Sequence, residues 1–280
     1  MYQAKTWLFM GILSIFLVFV GRFVGGSRGM LLFFAFSVLL NVFAYWTSGA
    51  TAIMMTRSRP VSETELPQLY ATIRHLSDEA GIPMPQIYLT PSQQPNAFAT
   101  GRNPKHAKVA VTEVILQALP PRELAGVLAH ELAHIKSRDI LISSMAAVLA
   151  GAITSIANVL QWGMWFGMGN RDERDNGGWA AELLTIILAP IAATVVQLAI
   201  SRSREYHADA MGARILGDPN ALADALESLE TYSQRIPSNF NPAMSHMFIV
   251  NPFRGQSVMQ WFSTHPPTAE RVRRLRTMIV

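Results

Sequence analysis

Four stretches of this chain carry no Lys, Arg, Asp or Glu: residues 6–21, 29–56, 140–170 and 183–201. All are rich in Leu, Ile, Val, Phe, Ala and Met. A helix needs about 20 residues to cross a bilayer, and the last three runs supply them. The first reaches that length if it continues past Arg22 to Phe23 and Val24, since an arginine near a helix end can carry its charge to the interface. Several such runs in one chain point to membrane helices rather than buried core helices. The pattern therefore predicts about four transmembrane helices in two hairpins, over residues 1–56 and 140–201. A signal peptide is the other reading of the first run. Against it, no small-residue cleavage pattern ends the run, and a second apolar run follows directly after the turn Gly25-Gly26-Ser27-Arg28-Gly29. Asn41, one of few polar residues in these two runs, is placed to pack or bond between helices.

The intervening segments, 57–139 and 202–280, change to ordinary soluble patterning. Ser62-Glu63-Thr64-Glu65 reads as a cap for a helix that turns Leu69, Ile73 and Leu76 inward and ends at Gly81 and Pro83. Gln86–Thr90 and Lys108–Glu113 alternate as strands. Between them, Pro95 to Gly101 reads either as a turn with an apolar tether or as an edge strand able to bind an extended peptide. Pro120-Pro121-Arg122-Glu123 opens a further helix, with Leu124, Val127, Leu128 and Leu132 on its buried side. Leu216-Gly217-Asp218-Pro219-Asn220 stops one helix and starts another over 221–232. Residues 236–264 show no clean period, and a basic helix closes the chain.

The helix opened by Pro120 carries His130-Glu131-Leu132-Ala133-His134. Histidines four apart lie on one helical face and can share a metal ion, while the glutamate after the first is placed to take a proton from water. Charged residues Arg122, Glu123, Lys136, Arg138 and Asp139 bracket this pair, which puts it at a membrane surface rather than at mid-bilayer. A catalytic zinc site needs a third protein ligand. Glu205 and Asp209, four apart after the fourth apolar run, are candidates for ligand and for partner of a ligand histidine's spare N–H. An exposed helix with ion pairs is the alternative. Topology favours the site, because the two crossings between His134 and Glu205 return the chain to the same side.

The sequence has no cysteine, so disulfides and thiolate ligands are excluded. The net charge of +4 is modest, and nothing points to nucleic acid. Arg57 and Arg59 after the second run, with Arg202 and Arg204 after the fourth, place those segments in the cytoplasm by the positive-inside rule. Arg22 and Arg28 in the first turn argue the other way.

In these residues the chain resembles the HtpX-type membrane zinc metalloproteases, relatives of the CAAX prenyl endopeptidases. The resemblance rests on the membrane hairpins, the His130–His134 motif, Glu205 with Asp209, and the late His265-Pro266 pair. It implies Zn²⁺ held by His130, His134 and Glu205, Glu131 as the catalytic base, a catalytic-site role for His265, and substrate binding along Asn96-Ala97-Phe98. It also implies a bacterial inner-membrane peptidase that faces the cytoplasm and degrades damaged or misfolded membrane proteins. The expected fold is mostly α, with a zincin-like α+β domain and a small sheet. It is divided as membrane hairpin 1–56, first peptidase part 57–139, second hairpin 140–201 and second peptidase part 202–280. The lipid bilayer and polypeptides are the expected partners. Two rivals stand beside this reading: an intramembrane protease, and a zinc-binding transporter or scaffold without hydrolysis.

Overall fold

The computed structural model describes residues 2–146, 202–235, 247–250 and 266–280. Helix α1 (Tyr2–Met55) is two helices joined at a kink, where Gly25 (φ −135°, ψ 20°) and Gly26 (φ 60°, ψ −142°) leave helical geometry. Only glycine takes the Gly26 conformation without strain. The two arms fold back on one another. A Cβ at Gly29 would collide with the carbonyl oxygen of Gly21, and Asn41 Nδ2 donates to Ser14 Oγ at 2.9 Å. Among the described residues one helix, Gly25–Met55, is long and apolar enough to span a membrane. The third and fourth apolar runs lie almost wholly outside the described residues; 140–146 is helical.

Beyond α1 the chain builds a mixed four-stranded sheet from β1 (Arg59–Pro60), β2 (Gln86–Thr90), β3 (Ala97–Thr100) and β4 (Lys108–Thr112), in the order β1-β2-β4-β3. β2 and β4 are parallel; β1 and β3 pair antiparallel to their neighbours. Because successive side chains alternate faces, Ile87, Leu89, Ala97, Ala99, Val109 and Val111 join the main core. Phe98 and Ala110 turn to the opposite face and pack with Ala52 and Ile53 from the end of α1.

Helix α2 (Pro67–Ala80) supplies Leu69, Ile73 and Leu76 to the main core, as expected from its period. Its start differs from the expected cap. Ser62 instead forms a turn, accepting the Leu66 N–H through its carbonyl, and proline at the first helical position needs no donor there. After the one-turn α3 (Ile115–Ala118), α4 (Pro121–Lys136) runs through the centre, buried continuously from Gly126 to Ala133. α5 (Arg202–Leu216) and α6 (Pro219–Arg235) pack on it, and α7 (Thr268–Arg276) closes over them. The molecule is mostly helical with a small mixed sheet.

Candidate metal centre

Close backbone packing sets α4 against its neighbours. A Cβ at Gly212 would lie 2.8 Å from His130 N, and one at Gly126 would lie 2.6 Å from Leu222 N. The bare glycine at 212 lets α5 approach until Glu205 and Asp209 reach the histidines. Glycine inside a helix costs about 1 kcal/mol relative to alanine, and here it permits that approach.

His130 Nε2 and His134 Nε2 stand 3.2 Å apart. Glu205 Oε2 lies 3.8 Å from the first, and Glu205 Oε1 lies 3.6 Å from the second. Ligand bonds of 2.0–2.2 Å around a tetrahedral ion put neighbouring donors roughly 3.4 Å apart. The three donors therefore already have the spacing of one face of such a shell, and all their ligand atoms lie within 4.8 Å of one another.

The electrostatics suit a cation. Burial pushes His130 down to about 4, which favours the neutral imidazole that can offer a lone pair. Burial would lower His134 too, but the surrounding carboxylates of Asp139, Glu205 and Glu131 outweigh it and raise it to about 9. Asp139 Oδ2 stands 3.7 Å from His134 Nδ1, beyond hydrogen-bond length, so it acts here through charge. A field that holds a proton on His134 also favours a divalent cation. Burial likewise raises Glu131 to about 7, with Glu205 adding to the effect and His134 and Arg271 opposing it.

Asp209 lies behind His130, its Oδ1 2.9 Å from His130 Nδ1, although the ring N–H is not aligned for a full hydrogen bond. Burial alone would raise Asp209, but Arg271 overcomes it and holds the carboxyl down to about 2. Arg271 grips both its oxygens, at 2.9 and 2.6 Å, and donates to Ile249 O at 2.8 Å. Arg271 is 1% exposed. The sequence presents it as one arginine of a basic helix; its signal was the four-residue spacing to Leu275, which is also buried.

A cleft of about 50 Å³ opens beside these groups, lined by Phe98, Ala99, His130, Glu131, His134 and Glu205 among others. Alternate residues of an antiparallel strand bond its neighbour, and Asn96 O accepts the Thr112 N–H of β4. Ala97 and Ala99 consequently turn their backbone groups the other way, and Ala99 N–H donates to Glu131 Oε2 at 2.8 Å. Of the three residues expected on the substrate side, Asn96 is buried as a clamp, donating from Nδ2 to Met247 O and accepting the Ile249 N–H. Phe98 lines the cleft, and Ala97 carries the outward backbone groups. His265 lies outside the described residues. Asp139 and Arg204, read from sequence as surface charges, are 3% and 8% exposed.

The chain matches Peptidase family M48 over residues 63–279. It is 57% identical to a protease HtpX homolog of Pelotomaculum thermopropionicum, with both chains covered completely. It is 51% identical to one of Pyrococcus furiosus, over 97% of this chain and 94% of that relative. The crystal structure of S. mikatae Ste24p has a similar fold, with a TM-score of 0.53 at 20% identity; the match covers 95% of this chain and spans 62% of the Ste24p chain. A donor set of metal-ligand geometry sits inside the matched region, and the full-length relatives are proteases, so the chain belongs to peptidase family M48 and is an HtpX-type metallopeptidase.

Proposed function

We propose that the protein is a membrane-integrated, zinc-dependent endopeptidase in which His130 and His134 through Nε2, and Glu205 through its carboxylate, hold the ion. The spacing of those three donors carries the reading. When bound, Zn²⁺ acidifies water and polarises the scissile carbonyl. Glu131 takes the proton of the attacking water and delivers it to the leaving amine. The Ala99 N–H orients the Glu131 carboxylate. Asp209, backed by Arg271, sets the tautomer of His130. The edge of β3, through the backbone groups of Ala97 and the carbonyl of Ala99, receives an extended peptide beside the base through hydrogen bonds that read no side chain and so admit many sequences. Phe98 faces the same cleft, Asn96 anchors the strand, and His265 supplies a donor to the developing oxyanion.

The substrates are damaged or misfolded membrane proteins, cleaved at the cytoplasmic face of a bacterial inner membrane that the chain crosses about four times. Support comes from α1, whose outward residues Phe19, Leu31, Leu39 and Met54 are each at least two-thirds exposed, as a lipid-facing surface requires. Its second arm meets the substrate-side strand directly. A Cβ at Gly49 would lie 3.0 Å from Gly101 Cα, and Arg102 stacks 4.4 Å over Trp46. These contacts support a cleft that lies beside the bilayer.

Zinc analysis paired with casein cleavage in detergent tests this reading. Glu131→Gln retains zinc and loses cleavage; Glu205→Ala loses zinc. Undiminished cleavage by Glu131→Gln removes the mechanism, and full zinc occupancy in Glu205→Ala removes that residue from the ligand set.

A further inference from the structure

A ligand histidine binds metal well when its other ring nitrogen is held by an acceptor. His130 has Asp209, and Asp209 has Arg271. For His134, Nε2 faces the donor cluster, which leaves Nδ1 facing Asp139 Oδ2 at 3.7 Å. Asp139 is 3% exposed, and among the described residues neither of its carboxylate oxygens has a hydrogen-bond partner. A buried carboxylate left this way is costly.

The backbone also bends in an unusual way to deliver it. Arg138 takes φ 58°, the left-handed region that non-glycine residues avoid. That turn ends α4 and reverses the chain, and Asp139 N–H donates to His134 O at 3.0 Å. The carboxylate therefore returns beneath the last histidine of its own helix. Arg204, the residue before Glu205, lines the same cleft and interacts electrostatically with Asp139 and Glu205.

We propose that Asp139 is the positioning residue for His134. It accepts the Nδ1–H, holds the Nε2 lone pair towards the metal, and has Arg204 as its counter-charge. A modest rotation of the imidazole or carboxylate closes the gap once Nε2 is engaged. The arrangement repeats His130–Asp209–Arg271 with different parts: histidine, buried aspartate, buried arginine. The inference rests on the zinc-site reading above.

The test uses the full-length protein in detergent, with zinc affinity measured by competition against a chelator and thermal unfolding measured after chelator treatment. Asp139→Leu binds zinc about 10- to 100-fold more weakly; Asp139→Asn loses less, because its amide oxygen still accepts a hydrogen bond. Unfolding of the chelator-treated variants measures separately what the carboxylate contributes as counter-charge to Arg204 and His134, so that the zinc comparison reads its effect on the site alone. Zinc affinity of Asp139→Leu equal to wild type overturns the proposal. So does an equal loss of zinc affinity in Asp139→Asn and Asp139→Leu, which makes the carboxylate's charge, and not the hydrogen bond it accepts, the contribution. A wild type that binds no zinc removes the site itself, a result distinct from either.

Discussion

Glu131 shows how burial tunes one side chain. Its carboxyl is raised from the ordinary 4.5 to about 7 because the charged form is desolvated in the cleft wall. A carboxyl with a higher folded-state value binds its proton more tightly when folded, so stability declines as pH rises from the unfolded value through about 7. In chelator-treated protein, Glu131→Gln should therefore unfold later than wild type at pH 8, by on the order of a few kcal/mol. The two should converge near pH 4. Equal unfolding temperatures at both pH values would show that the carboxyl is not desolvated. The glutamine can still accept the Ala99 N–H, so the comparison isolates the charge.

At the scale of elements, the centre depends on how closely α5 lies on α4. Gly212→Ala places a methyl group against the backbone of His130. Overpacking of this kind costs about 1–3 kcal/mol, and the displacement carries Glu205 and Asp209 away from the histidines. Reduced zinc affinity and a lower unfolding temperature are both expected. Gly126→Ala forces α6 off the same helix at Leu222 instead. It should lower the unfolding temperature while leaving zinc affinity closer to wild type, and a zinc loss equal to that of Gly212→Ala would contradict this division. The far side of the bundle is tied by Arg122, which pairs with Asp218 and Asp224, and by Arg276, which also reaches Asp224. These ion pairs are partly exposed and contribute little individually.

Across the whole molecule, α1 joins an apolar surface to the peptidase cleft, and its kink and its C-terminal end lie at opposite ends of the second arm. If the peptidase part faces the cytoplasm, the kink faces outward. The absence of cysteine allows labelling without background. Ser27→Cys should react with a membrane-impermeant maleimide in intact cells, whereas Glu113→Cys should react only after permeabilisation. The opposite pattern would invert the orientation. Both residues are exposed, so accessibility to the reagent is set by the bilayer.

The residues that short-range patterns govern were legible in the sequence. The apolar runs, the inward period of α2, the alternation of β2 and β4, and the proline start of α4 follow from properties of neighbouring residues. So does the pairing of His130 with His134, because four residues make one helical turn. Glu205 and Asp209 could be proposed from spacing and an even number of crossings, but only the tertiary structure brings Glu205 to within 4 Å of both histidines. Arg271, Asp139 and Arg204 read as surface charges because burial of a charge depends on distant partners, which no local pattern encodes. Gly126 and Gly212 likewise gain their meaning from the helices pressed against them. Local patterns set most elements among the described residues and the chemistry of the motif, whereas long-range packing set which charges are buried around it, since nothing local fixes distances between residues 60 or more apart in the chain, as for Arg271 and Asp209.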